Sequence, residues 1–467
     1  MKFRHNKYVC YALSAIGLYL EVVIEAIYFI SKVLRACYLF PAPTEQRTRP
    51  CVQRQKALEM RFLLLLLAAM LLVQFTAACP PVVGNCYIFP PTSEWNRPID
   101  TDPVDYMSPC VMGTVATWLT SNEITNGYNV SQLRINFGLY VSQGYGMPWI
   151  VTDGEAPLVP INYTAYQDQS EWYNQVQDVI DGNSPQPWGQ AYFPFPQDMP
   201  IEGWGGNVST DPTTGDRHAI ALDSVNCMLY ESFATTRLEV GFEVANTAIW
   251  NLSLGDLQRP AGWTSACAAG TAIYPGILKY AEIASGEITH ALGFTIAFPQ
   301  NAYSDPGRHS GTSYDFPNYP YFGARFRLRA NFSTNGYAND TAVVIRALQK
   351  YGLILLLTGG SNSAPSVIAD TDSRYGINID PELNHNNRIP FDGEHWDMVQ
   401  SIGPVVYGYT PSPSPPTCDG ISQNPTWSPN FNPSCPGPKK NSSRGSHLTP
   451  AIKSILPYLA SVLTLFS

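Results

Sequence analysis

Charged residues are scarce in these 467 positions, 14% of the chain against 45% hydrophobic. That excludes a charge-rich disordered polymer and leaves enough apolar side chain for a sizeable core. Basic residues are the scarcer sign, 28 Lys and Arg against 37 Asp and Glu for a net charge of -9, and no basic tract gathers them. A nucleic-acid partner, which needs phosphate neutralisation, is excluded on that ground. Ten cysteines are too few for a small disulfide scaffold, although they can staple one large exported domain. The chain has no phosphate-binding glycine loop and no dinucleotide fingerprint, so nucleotide chemistry is excluded and no cofactor is expected. Ser265 lacks the flanking glycines of a nucleophile elbow, and there is no HExxH helix or tight HxH pair. No internal repeat is found.

What is present begins with processing signals. Met60-Arg61, the apolar run from Phe62 to Val73 and the small residues up to Ala78 have the order of a signal peptide over 60–78, with cleavage near Cys79. Residues 1–59 then read as an upstream extension. Tyr8 to Ile30 is long enough to span a bilayer, which keeps a true N-terminal membrane segment as the alternative, but Glu21 and Glu25 would each cost a few kcal/mol at mid-membrane. The segment before Pro80 holds ten of the basic residues and four of the acidic ones, so the rest is more acidic still, 18 against 33. At the other end, Asn441-Ser442-Ser443, a polar spacer and the apolar run Ile455 to Phe466 follow the order of a GPI-anchor signal over 441–467; the alternative is a short packed helix. Residues 409–440, rich in Pro, Ser, Thr and Asn, read as an extended stalk in which Cys418 and Cys435 can form a local pair. Sequons at Asn129, Asn162, Asn207, Asn251, Asn331, Asn339 and Asn441 agree with export and glycosylation.

The body, 79–408, offers short alternating runs divided by Gly, Pro and Asn. This predicts a mainly β fold, one large jelly-roll-like β-sandwich, with strands at His218–Asp223, Cys227–Phe233, Leu238–Ala245, Glu287–Ala297 and Arg325–Phe332. One helix is predicted over Thr341–Tyr351, capped by Asp340, with Val344, Ile345 and Leu348 as its apolar stripe and Gly352 at its end. The wholly apolar run Leu353–Leu357 reads as a buried strand.

Several strings resemble a family of secreted, mostly bacterial, β-rich proteins with no assigned activity. They are Trp95-Asn96 with Pro98-Ile99, Asp216-Arg217-His218, Asn226-Cys227 with Leu229-Tyr230-Glu231, Arg259 to Ala266 (RPAGWTSA), Tyr274 to Ile277, Gly286 to Leu292 (GEITHAL) and Tyr351-Gly352. The resemblance covers about Cys86 to Asp380 and implies export and a β-rich fold, but no chemistry. Cys267 stands where an acid is common in that pattern and Leu357 where an Asp often follows, so chemistry resting on either acid would be impaired here.

Strand alternation directs His218, Glu231 and His290 to apolar faces, where unpaired burial costs a few kcal/mol each. One reading makes Glu231 a general acid or base with His218 and His290 as its proton partner and orienting group; the other is a hydrogen-bonded core network. A mononuclear metal site using Asp216, His218, Glu231 and His290 is weighed and no metal is expected. Arg325, Arg327 and Arg329 share one strand face, either paired internally or binding an acidic glycan, with Trp263 as a stacking platform. Cys227 and Cys267 are expected to be oxidised, with each other as one pairing. The functional expectation is a GPI-anchored or secreted glycoprotein at the outer face of the plasma membrane that binds extracellular polysaccharide. On one reading it also cleaves it as a glycoside hydrolase or lyase; the alternative is a non-catalytic adhesion, wall or coat protein.

Overall fold

Ala219-Ile220-Ala221-Leu222 alternates small with large apolar side chains, and the strand Ala219–Asp223 is buried along its whole length. The computed structural model shows why, over residues 80–116, 146–173, 190–203, 215–315, 318–359, 365–371 and 389–408. The leader, stalk and tail, with Asn129, Asn207, Asn441, Cys418 and Cys435, lie outside the described residues. A first sheet has the order Asn246–Asn251, Met228–Phe233, Ala219–Asp223, Ile150–Thr152. Ile220, Leu222, Leu229, Ala248 and Trp250 face the main core. Ala219, Ala221, Tyr230 and Ile249 face a second core, shared with Val159, Ile161, Phe193, Phe242 and Val244. Those five belong to another sheet, ordered Ala191–Phe193, Val159–Tyr163, Phe242–Val244, Thr236–Arg237. Period-2 side-chain direction thus places two apolar layers on one sheet, the small alanines allowing close approach on one side.

Across the main core lies a five-stranded sheet, ordered Ser366–Val367, Leu292–Ile296, Leu353–Thr358, Arg325–Leu328, Trp396–Val399. Phe294, Phe326 and Leu353 to Leu356 are its core residues. The architecture is therefore mainly β and sandwich-like, as expected. It also contains parallel pairs, Ile150–Thr152 on Ala219–Asp223 and Leu292–Ile296 on Leu353–Thr358, which a purely antiparallel jelly roll lacks. The second pair needs a crossover, and the helix Asn339–Lys350 supplies it.

That helix buries Val344, Ile345 and Leu348 as expected, but it starts earlier than predicted. Its N-cap is Ala338, without a side-chain cap, and Asp340 lies in the first turn, where its charge complements the helix dipole instead. Gly352 has φ +72°, and a Cβ there would meet the Phe326 carbonyl oxygen at 2.2 Å, so the glycine is required. A second helix, Tyr280–Ser285, ends at Gly286 with φ +87°. It shortens the predicted strand Glu287–Ala297 to Leu292–Ile296.

Candidate functional site

Glu231 sits mid-strand, opposite Ile220 and Ala248, with its carboxyl turned into the main core and 0% exposed. The carboxyl is not unpartnered. It accepts the backbone N–H of Ile273 at 2.9 Å and of Tyr274 at 2.8 Å, where the turn Tyr274–Gly276 begins and leaves those donors unused. Burial pushes the Glu231 pKa up to about 7 against the lowering by these donors.

His218 is 1% exposed and has both ring nitrogens committed: Nδ1 to the Glu202 carboxylate, Nε2 to the Ala266 carbonyl at 2.9 Å. Burial alone would lower its pKa, but Glu202, Asp216 and that carbonyl outweigh it and lift it to about 9. At neutral pH it is an imidazolium with both protons in use. His290, also 1% exposed, faces the Ala291 carbonyl with Nδ1 at 2.7 Å and Glu282 with Nε2 at 3.0 Å. The charge of His218 reaches Glu231, but no hydrogen bond joins any two of Glu231, His218 and His290. The expected convergence is corrected on that point. His290 precedes the strand Leu292–Ile296, so alternation does not govern its direction, and it pairs with the helix Tyr280–Ser285 instead.

What His218 and Glu231 do hold is the loop 259–274. His218 fastens Ala266 and Glu231 fastens Ile273 and Tyr274. Arg259, fully enclosed, donates to Thr264 O at 2.9 Å and to Glu171 at 2.8 Å. Its guanidinium lies over the Trp250 and Trp263 rings at 5.9 and 5.7 Å. Ser265 Oγ donates to Thr271 O at 2.7 Å. The RPAGWTSA string thus accounts for itself as loop construction, with Trp263 closing over Arg259. Glu171, Glu202 and Glu282 escaped the sequence reading: Glu171 lies 88 positions from Arg259, and no pattern announces Glu202 and Glu282, 16 and 8 positions from their histidines.

The arginine ladder is engaged internally. Arg325 donates to Glu94 at 2.6 Å and to Tyr351 O at 2.9 Å. Arg327 donates to Ile99 O and Asp102 O, and Arg329 to Asp397 at 2.8 Å. Arg325 and Arg327 fasten the segment 94–102 to the five-stranded sheet, Arg329 binds the neighbouring strand Trp396–Val399, and the ladder is paired internally.

The Cys227–Cys267 pairing is overturned. Cys227 is bonded to Cys86, Cys110 is also disulfide-bonded, and Cys267 is free and buried. Cys227 sits at the turn after Asp223, whereas Ala266 contacts His218 at the other end of the same strand. Five residues at roughly 3.3 Å each separate those ends, beyond the roughly 7 Å that a disulfide tolerates between Cα atoms. Burial pushes the Cys267 thiol up to about 11, so it is not a poised nucleophile. Among the described residues no group of three or more His, Cys, Asp or Glu is arranged to hold a metal. Of the described sequons, Asn162, Asn331 and Asn339 are exposed and Asn251 is half-buried.

Comparison with protein-family models, curated proteins and solved structures finds no match.

Proposed function

We propose that this protein is an exported surface glycoprotein whose β-rich body binds extracellular polysaccharide, in adhesion or in wall or coat structure, without cleaving it. The observation that carries the non-catalytic reading is the enclosure of Glu231, His218 and His290, each at most 1% exposed and each bonded to a part of the fold. General acid–base catalysis needs a group within hydrogen-bond reach of the substrate; Glu231 and His218 are spent on the loop 259–274 and His290 on the helix Tyr280–Ser285. Export is supported by the leader over 60–78, by the sequons and by the Cys86–Cys227 disulfide, a bond of oxidising compartments. Surface attachment through the 441–467 signal belongs to the same proposal. Exposed phenol rings, rather than core carboxylates, are the groups placed to meet sugar.

The test is incubation of the purified secreted chain with a panel of neutral and acidic polysaccharides, following retention on the polymer alongside release of reducing ends and unsaturated uronates. Retention without product is expected. Product formation that Glu231→Gln abolishes in a folded variant would overturn the non-catalytic reading.

A further inference from the structure

The strand Val406–Tyr407 forms one edge of a three-stranded sheet, with Tyr407 opposite Ala302 and Val406 opposite Tyr303. Around this edge three chain segments bring phenol rings to the surface: Tyr106 at 48% exposure, Tyr407 at 40% and Tyr314 at 39%. Backbone bonds tie the Tyr106 segment to 398–399, eight residues before Tyr407, and the Tyr314 segment through Asn301 to Gly408. Val104 bridges Val399, and the Asp105 N–H donates to Met398 O at 2.9 Å. The Asn301 N–H donates to Tyr314 O at 2.7 Å, and the Gly408 N–H to Asn301 O at 2.9 Å. Tyr314 is braced edge-on by Phe298, which also packs on Tyr319. Beneath the rings, the buried Tyr321 places its hydroxyl within electrostatic reach of Asp105, Tyr106 and Tyr407.

Polar groups suited to hydroxyls accompany the rings. Asp105 is half-buried with Oδ1 fixed by the Met107 N–H at 2.7 Å, and the Asn301 amide lies 3.4 Å from Asp315 Oδ1. The segments 103–106, 298–303, 312–315, 318–322 and 398–408 contain no Lys or Arg.

We propose that this edge is the polysaccharide-binding site, built on Tyr106, Tyr314 and Tyr407, and that its ligand is a neutral glycan. The inference rests on the binding function proposed above and adds to it the place and the class of sugar. An aromatic face covers the C–H face of a pyranose, while carboxylates and a side-chain amide exchange hydrogen bonds with its hydroxyls. A uronate or sulfated polymer would meet Asp105 and Asp315 with no Lys or Arg in these segments to balance them, and the arginines of the ladder are paired within the five-stranded sheet and the segment 94–102. A proline-rich segment could also lie on tyrosines, but it has no hydroxyl donors at its prolines to give to the two carboxylates.

The experiment compares the full secreted chain with Tyr106→Ala/Tyr407→Ala and with Tyr166→Ala/Tyr192→Ala, which removes two exposed rings elsewhere. Retention by neutral glucans and mannans, pectate and a sulfated glycan is measured by affinity electrophoresis. Expected is retention on a neutral polymer, weakened at least about tenfold by the first pair and unchanged by the second. Circular dichroism and thermal unfolding establish that each variant is folded before its retention is read. Neutral-glycan retention untouched by the first pair would overturn the site and leave the function standing. Preference for pectate or the sulfated glycan would overturn the sugar class. Retention of no polysaccharide by the unaltered chain, or capture of a synthetic 409–440 peptide in place of glycan, would overturn site and function together.

Discussion

Replacing Glu231 by Gln tests how this core tolerates a carboxylate. With its pKa raised from 4.5 to about 7 by burial, Glu231 binds its proton more tightly in the folded chain than in the unfolded one. Its contribution to stability is therefore complete below about pH 4.5 and is lost as pH rises through about 7. A rise of that size corresponds to about 3 kcal/mol between the two limits. The substituted amide can keep its Oε1 on the Ile273 and Tyr274 N–H groups, since the Oε1 of Glu231 already accepts both, at 2.9 and 2.8 Å. Its nitrogen would stand where Oε2 meets the Ile273 N–H at 3.1 Å, donor against donor, a roughly constant cost of about 1–3 kcal/mol. The diagnostic is therefore the slope and not the absolute stability. Urea unfolding of the disulfide-intact chain from pH 4.5 to 8.5 should show the unaltered protein losing about 3 kcal/mol more than Glu231→Gln, a relative shift of about 1 M or more in midpoint. Groups common to both proteins and not coupled to Glu231, such as Asp256, largely cancel in that difference. Parallel curves over this range would refute the assignment of a proton-holding carboxyl to this position.

Non-reducing peptide mapping should recover Cys86 linked to Cys227, and Cys267 should resist alkylation until the chain is unfolded; cleaving the bond that closes this 141-residue separation should cost up to about 5 kcal/mol, and rapid native labelling of Cys267 would contradict its enclosure. Arg325→Met leaves Glu94 buried with Arg97 as its remaining partner, and thermal unfolding should register a loss of roughly 3 kcal/mol; no loss would show that the pair does not hold the segment 94–102. Glycopeptide analysis should find sugar on Asn162, Asn331 and Asn339 ahead of Asn251, and the reverse order would contradict their relative exposure. His218, lifted to about 9 from 6.5, stabilises below about pH 6.5 and loses that contribution as pH rises through about 9, so its imidazole carbon resonances should titrate near pH 9; a midpoint at 6.5 would remove the Glu202 clasp.

Local pattern sufficed for much of the fold. The alternation in Ala219–Asp223 and Met228–Phe233, the wholly apolar run from Leu353 and the stripe Val344, Ile345, Leu348 each follow from the direction in which a backbone of given period points its side chains. The same rule correctly turned His218 and Glu231 inward. Alternation could not supply their partners, because a period states which face a residue takes and not what lies across from it. Only the tertiary structure set Glu202 and Ala266 on His218, the Ile273 and Tyr274 N–H groups on Glu231, and Glu94 on Arg325, 231 positions away. It also decided the disulfide: Cys86 and Cys267 are both eligible by residue type, and only the hairpin turn after Asp223, at the far end of a strand from the loop holding Cys267, selects between them. His290 is buried as expected, but its partner is Glu282 on the helix that Gly286 ends at positive φ, so it does not join the other two. Sequence determines local direction because backbone sterics act over a few residues; pairing of buried charge is long-range, and it is decided where the desolvation of a charged group forces some partner, however distant in the chain, to be brought to it.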